Sequence, residues 1–338
     1  MSEQKIRVGV IGSGGIAGLH LSILAKRLDD VELMTVVDVR EDAARAAAEK
    51  YGVQRPGVDY ESALAGDVDA VLICVPTYLH ADIACAALRA GKAVFCQKPM
   101  ARTMAQAEAM AQAAAESGAP LQIGFVRRFD DEWLAFRDAV QAGKIGRPVI
   151  WHDVSSGPGP SSAWYCVDEQ GGGPFLDGCI HNIDFALHTF GKAEAVFTHA
   201  ATFRHEGTAL DTGTAVVKFV SGDELMLAWS WGLPAGCSGA RVFELLGPEG
   251  TMTWPGEKPA DSDRRAFVIN RGSDQREQIL YPSNALTTAF EREMDEFISV
   301  ARGQRQPRAG AREGCESLQV ALAILESGRS GEGLKIAG

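Results

Sequence analysis

The stretch from Ile6 to Asp38 constrains the fold of this chain more than any other. An apolar run, Ile6 to Ile11, leads into the turn Gly12-Ser13-Gly14-Gly15-Ile16-Ala17, and a helix-compatible segment follows. A second apolar run ends at Val37, directly before Asp38. Strand, glycine turn, helix, strand and acid is the order of a dinucleotide-binding βαβ unit. The sequence therefore predicts a doubly wound parallel sheet at the start of an α/β protein.

Small residues in this turn suit the binding of a pyrophosphate. Gly12 permits the tight turn, Gly14 lets the backbone approach the ligand, and Ala17 lets the helix pack close to the strand. The amide groups at the helix N-terminus, at Gly15 and Ile16, carry the partial positive charge that holds a diphosphate. A glycine turn can also join an ordinary strand and helix, but the flanking strands and the acid favour the nucleotide interpretation.

Two charged residues after the second strand bear on the identity of the cofactor. Asp38 would accept hydrogen bonds from the adenosine ribose and repel a 2′-phosphate, which favours NAD. Arg40 could instead receive that phosphate, so NADP stays possible. A solvated surface arginine is the simpler interpretation of Arg40.

Length, charge and cysteine content exclude several classes of protein. The 338 residues are enough for two domains, and the net charge of −11 argues against a nucleic-acid partner. No apolar segment approaches the ~20 residues that a membrane helix needs, so we expect no membrane partner. The seven cysteines include no CxxC pair, and the first strand begins too early for a signal peptide. We therefore expect a cytoplasmic protein with reduced thiols.

Two further strands are expected to deliver side chains to the cofactor. The apolar runs 69–75 and 93–96 predict parallel strands buried on both faces. Ligands of open α/β sheets bind outside the carboxyl ends of the strands. The residues expected on that side are Pro76, Thr77, His80, Gln97 and Lys98. His80 is expected to cap or pack the turn rather than to catalyse.

After residue 125, where the first domain is predicted to end, the pattern changes. Successive short apolar runs with turn signals between residues 195 and 281 predict a largely antiparallel sheet. Two helices finish this second domain, residues 126–338, and the last of them could pack back on the first domain. The segment 155–173 is rich in Gly, Pro and Ser and contains Trp164. It predicts a loop over a site, with an ordinary surface loop as the alternative.

Two centres could carry the chemistry. Lys98 can donate a hydrogen bond to a substrate hydroxyl or carbonyl, although a solvated loop lysine is the alternative. Asp177 and His181 are four residues apart, so they share one face of a helix, and Asp184 and His188 continue that stripe. An imidazole beside a carboxylate is a suitable proton acceptor for an alcohol. A water-facing polar stripe is one alternative; a metal site is the least favoured, because a dinucleotide fold needs no metal to move a hydride.

These features together resemble the glucose–fructose oxidoreductase and inositol dehydrogenase (Gfo/Idh/MocA) family. The motifs that carry the resemblance are the glycine turn, Lys98-Pro99, Arg127-Arg128-Phe129-Asp130 and the Gly171–Asp184 pattern. The resemblance implies a Rossmann domain followed by an α+β domain with an open, mostly antiparallel sheet that serves as an oligomer interface. It also implies NAD(P)-dependent oxidation of a sugar or cyclitol hydroxyl.

The resemblance also implies roles for individual residues. Lys98 would polarise the reacting oxygen, His181 would take the hydroxyl proton, and Asp177 would orient the imidazole or bind substrate. Arg127 would help shape the substrate pocket, although a structural salt bridge is equally compatible with an arginine there. Trp164, in the loop that could lie over the site, is a further candidate for substrate binding. The chain has Gln97 where the family has glutamate, which removes a charge next to the lysine.

Three functions remain open at this point. The leading one is a dehydrogenase of a sugar, sugar acid or cyclitol. A relative that uses bound NAD for glycosidic cleavage would release a leaving group without net NADH. A non-catalytic nucleotide-binding sensor would fit Gln97, but it has no need of the Asp177–His181 pair. Apolar strands such as Leu225–Trp231, taken as exposed edges, predict a homodimer or homotetramer.

Overall fold

A six-stranded, fully parallel sheet is the centre of the first unit of the chain. In the computed structural model, which describes residues 4–204, 206–239, 241–257, 264–273, 275–282 and 286–336, this unit comprises residues 1–126 and 287–315. Its strands are β1 (Ile6–Ile11), β2 (Val31–Val37), β3 (Arg55–Gly57), β4 (Ala70–Ile73), β5 (Ala93–Cys96) and β6 (Leu121–Ile123). The order β3-β2-β1-β4-β5-β6 is that of a doubly wound dinucleotide-binding sheet, which confirms the predicted fold class.

Helices join the strands of this sheet in the crossovers that parallel pairing requires. They are α1 (Gly15–Leu24), α2 (Glu41–Tyr51), α3 (His80–Arg89) and α4 (Met104–Ser117). Helix α4 begins with a capping box, in which the Thr103 hydroxyl accepts from the Gln106 amide and the Gln106 side chain accepts from the Thr103 amide.

A nine-stranded sheet dominates the second unit, residues 127–286 and 316–338. Helices α5 (Asp131–Gln141) and α6 (Ile180–Phe190) belong to it, with strands β7 (Ile150–Ser156), β8 (Ala193–Ala201), β9 (Thr212–Phe219), β10 (Glu224–Ser230), β11 (Val242–Gly247), β12 (Gly250–Glu257), β13 (Arg264–Asn270), β14 (Arg276–Pro282) and β15 (Leu334–Lys335). The order is β14-β13-β12-β11-β7-β10-β9-β8-β15. Only the β7–β10 pair is parallel among the described pairs, so the sheet is mostly antiparallel, as predicted.

One face of this sheet carries the core of the second unit. The strand register aligns one buried residue from each of five neighbouring strands: Val196, Val217, Leu225, Trp151 and Leu245. The Trp151 ring contacts Phe136 of α5 and Phe190 of α6, with ring centroids 5.1 and 6.4 Å away. Both helices therefore cover this face, and alternation along the strands turns the other face away from them.

The two units and the predicted domains divide the last two helices differently. Helix α7 (Leu286–Ala301) groups with the first unit from Thr287 onward, and its Met294, Phe297 and Ile298 join the same buried cluster as Phe95. Helix α8 (Ala311–Ser330), the last one, is divided between the units after Cys315. The second unit therefore consists of two separate stretches of the chain, residues 127–286 and 316–338.

The expectation that Leu225–Trp231 forms an exposed edge is wrong. Strand β10 lies between β7 and β9 and is paired on both sides. Its buried apolar residues pack into the core of the second unit instead of lining an edge. The edges of the sheet are β14 and β15. None of the helices in the described part of the chain is long and apolar enough to cross a membrane.

Candidate active site

The glycine turn after β1 has the geometry that a dinucleotide requires. Gly12 has a φ of 95°, and a Cβ there would clash with the Cys74 carbonyl oxygen, so this position accepts only glycine. A Cβ on Gly14 or Gly15 would meet no atom within 4 Å. The space in front of these two residues is therefore open, whereas Ala17 is fully buried behind them.

The N-terminus of α1 lies directly behind this open space. Gly14 is the N-cap residue, no side chain caps the helix, and its first turn, which includes Ile16, contains no acidic residue. The first amide groups of the helix can therefore donate to an anion. The turn and the helix end fit the diphosphate of NAD.

Asp38 connects the end of β2 to the glycine turn. Its Oδ2 accepts hydrogen bonds from the Ser13 amide at 3.0 Å and the Ser13 hydroxyl at 2.7 Å. Its Oδ1 accepts from the Arg40 amide at 3.0 Å and from Arg40 Nε at 3.1 Å. Burial alone would raise the pKa of Asp38, but the hydrogen bonds from Arg40 and Ser13 lower it to about 2. The carboxylate is therefore charged and fixed at the position expected for the ribose contact.

The segment after β4 is held by His80. Pro76 precedes the short turn that starts at the buried Thr77, and His80 is buried behind it. The His80 Nδ1 lies 2.8 Å from the Pro99 carbonyl oxygen and its Nε2 lies 2.9 Å from the Val75 carbonyl oxygen. His80 thus packs the turn, as expected, by tying together the segments that follow β4 and β5. A contact of Pro76, Thr77 or His80 with the cofactor stays a prediction.

Gln97 and Lys98 follow β5 at the same edge of the sheet. The Gln97 amide continues the pairing of β5 with β4 by donating to the Ile73 carbonyl at 3.0 Å. The Gln97 side chain is buried and lies against His20 of α1, 2.7 Å between the two Nε2 atoms. Lys98 is partly buried and precedes a cis peptide bond to Pro99. The sequence did not indicate that Gln97 faces a histidine.

In the second unit, the glycines 171–173 at the end of the loop 155–173 let the chain pack tightly against neighbouring backbone. A Cβ on Gly171 would lie 2.5 Å from the Cα of Tyr165. Gly173 has a φ of 76°, and a Cβ there would lie 2.7 Å from the Leu210 carbonyl oxygen. A larger residue at position 171 would therefore displace the segment that carries Trp164 and Tyr165.

Asp177 and His181 lie on either side of a change in helix type. Residues Pro174–Gly178 form a π-helical turn, in which the Cys179 amide donates to the Pro174 carbonyl at 2.7 Å, and α6 starts at Ile180. Asp177 is buried and His181 is partly buried. The sequence predicted that Asp177 and His181 share one face of a helix, but the two residues do not lie on one regular α-helix. π-helical turns occur frequently at functional sites.

The polar stripe predicted to continue through Asp184 is not a water-facing surface. Asp184 is fully buried, and its carboxylate accepts from Arg128 Nε at 3.0 Å and Nη2 at 2.7 Å. The Ser317 hydroxyl donates to the same carboxylate at 3.3 Å. Asp184 therefore neutralises a buried arginine. In the described ranges there is no group of three or more His, Cys, Asp or Glu side chains that could hold a metal ion.

Aromatic rings surround the Asp177–Gly178 turn. Trp164 stacks on Tyr165 with centroids 3.7 Å apart, and Tyr165 meets Trp231 edge-on at 6.1 Å. A Cβ on Gly178 would lie 2.8 Å from the Trp231 ring and 2.9 Å from the Trp229 ring. Burial and, to a smaller extent, the charge of Asp177 raise the pKa of Tyr165, so this hydroxyl stays protonated. The loop 155–173 is therefore packed against this turn.

Arg127 lies over an aromatic ring and forms no salt bridge with any residue that the structure describes. Its guanidinium is 4.0 Å from the centroid of the Trp133 ring. Burial lowers its pKa to about 10, although the nearby Asp153 acts in the opposite direction. Its Nη1 is buried without a hydrogen-bond partner among the residues described. The salt bridge that the sequence left open for Arg127 is made by its neighbour Arg128 instead.

A buried carboxylate beneath this region was not expected from the sequence. Asp153 on β7 accepts from Trp229 Nε1 at 2.9 Å and from the Asn182 side chain. Burial raises the pKa of Asp153, against the opposing effects of Arg127 and these hydrogen bonds. Asp153 thus anchors both Trp229, which packs under Gly178, and Asn182, the residue after His181. An acid on the core face of an apolar strand was the signal that could have identified it.

Known proteins are similar to this chain in both of its units. Residues 6–125 match the N-terminal domain of the GFO/IDH/MocA family, an oxidoreductase family with an NAD-binding Rossmann fold. Residues 133–253 match the C-terminal domain of the same family. The myo-inositol 2-dehydrogenase of Thermotoga maritima is 38% identical over 223 residues, 64% of this chain and 66% of that protein. The 1,5-anhydro-D-fructose reductase of Ensifer adhaerens is 30% identical over 338 residues, 98% of each chain.

Solved structures agree with this relationship. The WlbA dehydrogenase from Bordetella pertussis, crystallised with NADH and UDP-GlcNAcA, superposes with a TM-score of 0.82 at 25% identity. The match covers 99% of this chain and 100% of that one. This chain therefore belongs to the GFO/IDH/MocA family of oxidoreductases, and its first unit contains an NAD-binding Rossmann domain.

Proposed function

We propose that this protein transfers hydride between NAD and a hydroxyl-bearing carbon of a sugar, sugar acid or cyclitol. In the oxidative direction the carbon loses a hydride and its hydroxyl loses a proton, so the products are a ketone, NADH and a proton. Lys98, Asp177 and His181 act on the reacting oxygen and its proton. The observation that carries the proposal is the buried Asp177–His181 segment among aromatic rings, in a chain that also has an NAD-binding domain.

The first unit supports this assignment through the position of Lys98. Lys98 follows β5, at the carboxyl edge of the sheet to which the Gly12 turn and Asp38 also belong. When bound there, NAD supplies the acceptor for the hydride. The Lys98 ammonium donates a hydrogen bond to the reacting oxygen and stabilises the negative charge that develops as its proton leaves.

The second unit supports the role of Asp177 and His181. The His181 imidazole accepts the hydroxyl proton, and Asp177 orients the imidazole or binds a neighbouring hydroxyl. Rings such as Tyr165 and Trp231 offer apolar faces to the C–H groups of a sugar ring, while Arg127 offers a hydrogen-bond donor to its oxygens. The names of the two relatives, an inositol dehydrogenase and an anhydrofructose reductase, support the same class of substrate.

Asp38 supports NAD as the preferred cofactor over NADP. Its carboxylate is charged and held by five hydrogen bonds, from the amide and side chain of Ser13 and of Arg40. A 2′-phosphate at this position would meet that negative charge. Arg40, the residue that could favour NADP, already has its guanidinium on Asp38.

The exposed face of the second sheet supports a homodimer or homotetramer. The strand register aligns Phe197, Val216 and Met226 on the face opposite the core, and Phe197 is 55% exposed. Ile150 and Val242 are also exposed strand residues, at 38% each. A broad apolar face of this kind is typical of an interface between copies of one chain.

The test is NADH formation with NAD and a panel of inositols, aldoses, anhydrosugars and sugar acids, followed by variants on the compound that reacts. Lys98→Met and His181→Asn should each lower kcat by about 10²- to 10⁴-fold, the usual contribution of a positioned acid–base group. Lys26→Met, the same change at an exposed lysine, should leave kcat unchanged.

Wild-type turnover in the Lys98→Met variant would contradict the assigned chemistry. If a glycoside released its leaving group while NADH stayed constant, the protein would be a glycosidic-cleavage enzyme instead. Tight NADH binding with no reaction of any compound in either direction would favour a sensor.

A further inference from the structure

A buried contact ties the Lys98 segment to helix α1. Gln97 directly precedes Lys98, and its side-chain Nε2 lies 2.7 Å from the Nε2 of His20. His20 is in α1, the helix whose N-terminus faces the open space at Gly14. Both side chains are buried, at 8% and 0% exposure. The contact therefore joins the strand end that carries the lysine to the helix that faces the diphosphate.

The surroundings of His20 keep it neutral. Its ring meets the edges of Phe95 and Phe290, with centroids 5.2 and 5.7 Å away. Burial lowers the pKa of His20 to about 4, so the imidazole is uncharged at neutral pH. Its Nδ1 has no hydrogen-bond partner in the described part of the chain.

A neutral amide suits such an imidazole. A neutral imidazole has one N–H and one lone pair, and a glutamine side chain can either donate to it through nitrogen or accept from it through oxygen. A carboxylate at position 97 would lie at hydrogen-bond distance from the same ring. Either two opposite charges would then be buried together, or the carboxyl group would have to keep its proton.

We propose that Gln97 and His20 form a neutral positioning pair that fixes the strand end bearing Lys98 without placing a carboxylate beside it. Gln97, which replaces the glutamate of the family's Glu-Lys-Pro motif, and the buried His20 in α1 are then the two partners of one interaction. The part of this inference that concerns catalysis rests on the proposed role of Lys98; the pairing itself does not.

The first measurement is the ionisation of His20 in the full-length protein, followed by the ¹⁵N chemical shifts of its ring. In the wild type the ring should stay neutral between about pH 5 and 8. Gln97→Glu should raise the pKa of His20 above its ordinary value of 6.5, because the new carboxylate stabilises the imidazolium. The control is Gln141→Glu, the same change at an exposed glutamine, which should leave the ring neutral.

The second measurement is the reactivity of Lys98 toward acetic anhydride, read by peptide mass spectrometry without any substrate. Gln97→Glu should slow acetylation of Lys98 by about threefold or more, since a nearby carboxylate favours the unreactive ammonium. Gln97→Met keeps the size of the side chain but removes the hydrogen bond. It should change the acetylation rate of Lys98 while His20 stays neutral.

Turnover separates positioning from a merely structural role. Both Gln97 variants should lower kcat by about tenfold or more while the KM for NAD changes less than about threefold, because the contact positions Lys98, which acts at the reacting oxygen. A His20 that stays neutral in Gln97→Glu, or a Lys98 that is acetylated at the wild-type rate in both variants, would overturn the proposal. A wild-type protein with no turnover would contradict the proposed function alone, because the first two measurements use no substrate.

Discussion

Arg127 and Arg128 are neighbours in the sequence with opposite surroundings. Arg128 is bound through two hydrogen bonds to the buried Asp184, and removing either partner would leave an uncompensated charge, at a cost of about 3–5 kcal/mol. Arg127 lies over Trp133 and has a buried N–H group without a hydrogen-bond partner in the described ranges. One arginine therefore neutralises a buried carboxylate, and the other has the buried N–H group that we propose as a hydrogen-bond donor to the substrate.

Asp38 shows how one carboxylate links stability and cofactor choice. Its pKa, about 2, lies below the ordinary 3.8, because its hydrogen bonds favour the charged form. Its contribution to stability is therefore present above pH 3.8 and is lost as the pH falls through about 2. The same charge is the group that a 2′-phosphate would approach.

Replacing Asp38 by Asn should weaken the discrimination against NADP. The change removes the repulsion of a 2′-phosphate and releases the Arg40 guanidinium to bind it, so the ratio of NADPH to NADH dissociation constants should fall about tenfold or more. Fluorescence titration with each reduced cofactor measures this ratio. Adding Arg40→Ala to Asp38→Asn should reverse part of the gain. An unchanged ratio in Asp38→Asn would mean that Asp38 does not contact the ribose.

At the scale of elements, the junction between the π-turn and α6 is supported by side chains that are distant from it in the sequence. Gly178 fits against Trp229 and Trp231 of the β10 region. Trp231 also contacts the Tyr165 ring and Gly159, and a Cβ on Gly159 would lie 2.8 Å from the Trp231 side chain. Trp231 is thus the common support of the Asp177 turn and the loop that carries Trp164.

Trp231→Ala should disturb substrate binding more than cofactor binding. Loss of the indole leaves a cavity under Gly178 and beside Tyr165, which should cost about 3 kcal/mol of stability. We expect a raised KM for the sugar and an unchanged dissociation constant for NADH, with Trp231→Phe intermediate. Urea denaturation and steady-state kinetics provide the measurements. A variant with unchanged stability and an unchanged KM would show that Trp231 does not support the loop.

Elements with a local pattern could be predicted from the sequence, and those fixed by distant partners could not. The β1–α1–β2 unit, the strand ends that deliver Asp38 and Lys98, and the strands β8 to β11 all follow from apolar runs and turn residues. The pairing of Arg128 with Asp184 joins residues 56 positions apart, and that of Gln97 with His20 joins residues 77 apart. Such pairs depend on the tertiary fold, as does the π-turn that replaces the regular helix predicted around Asp177.

At the scale of the whole molecule, the sheet of the second unit has one covered face and one apolar face that the helices leave open. The row from Phe197 through Val216 and Met226 continues to His152 and Glu244, so an apolar band is bordered by a polar pair. The His152 Nδ1 lies 3.0 Å from the Glu244 Oε1. An apolar centre with a polar border is the usual composition of a protein–protein interface.

Phe197→Glu should dissociate the homo-oligomer that we propose. A carboxylate at this end of the apolar band would have to be buried without a partner on association, so the variant should be monomeric at micromolar concentration. Light scattering after size-exclusion chromatography gives the mass. The control, Val39→Glu, changes an 88% exposed residue in the first unit and should keep the wild-type mass. An oligomer that survives Phe197→Glu would exclude this face as the interface.

The return of helix α7 to the first unit has a consequence for the order in which the protein can fold during synthesis. When residue 126 leaves the ribosome, the parallel sheet is complete, but the core still lacks Met294, Phe297 and Ile298. The missing helix is translated only after the second unit up to Leu286. The nascent Rossmann sheet therefore keeps apolar side chains near Phe95 uncovered until helix α7 has been translated.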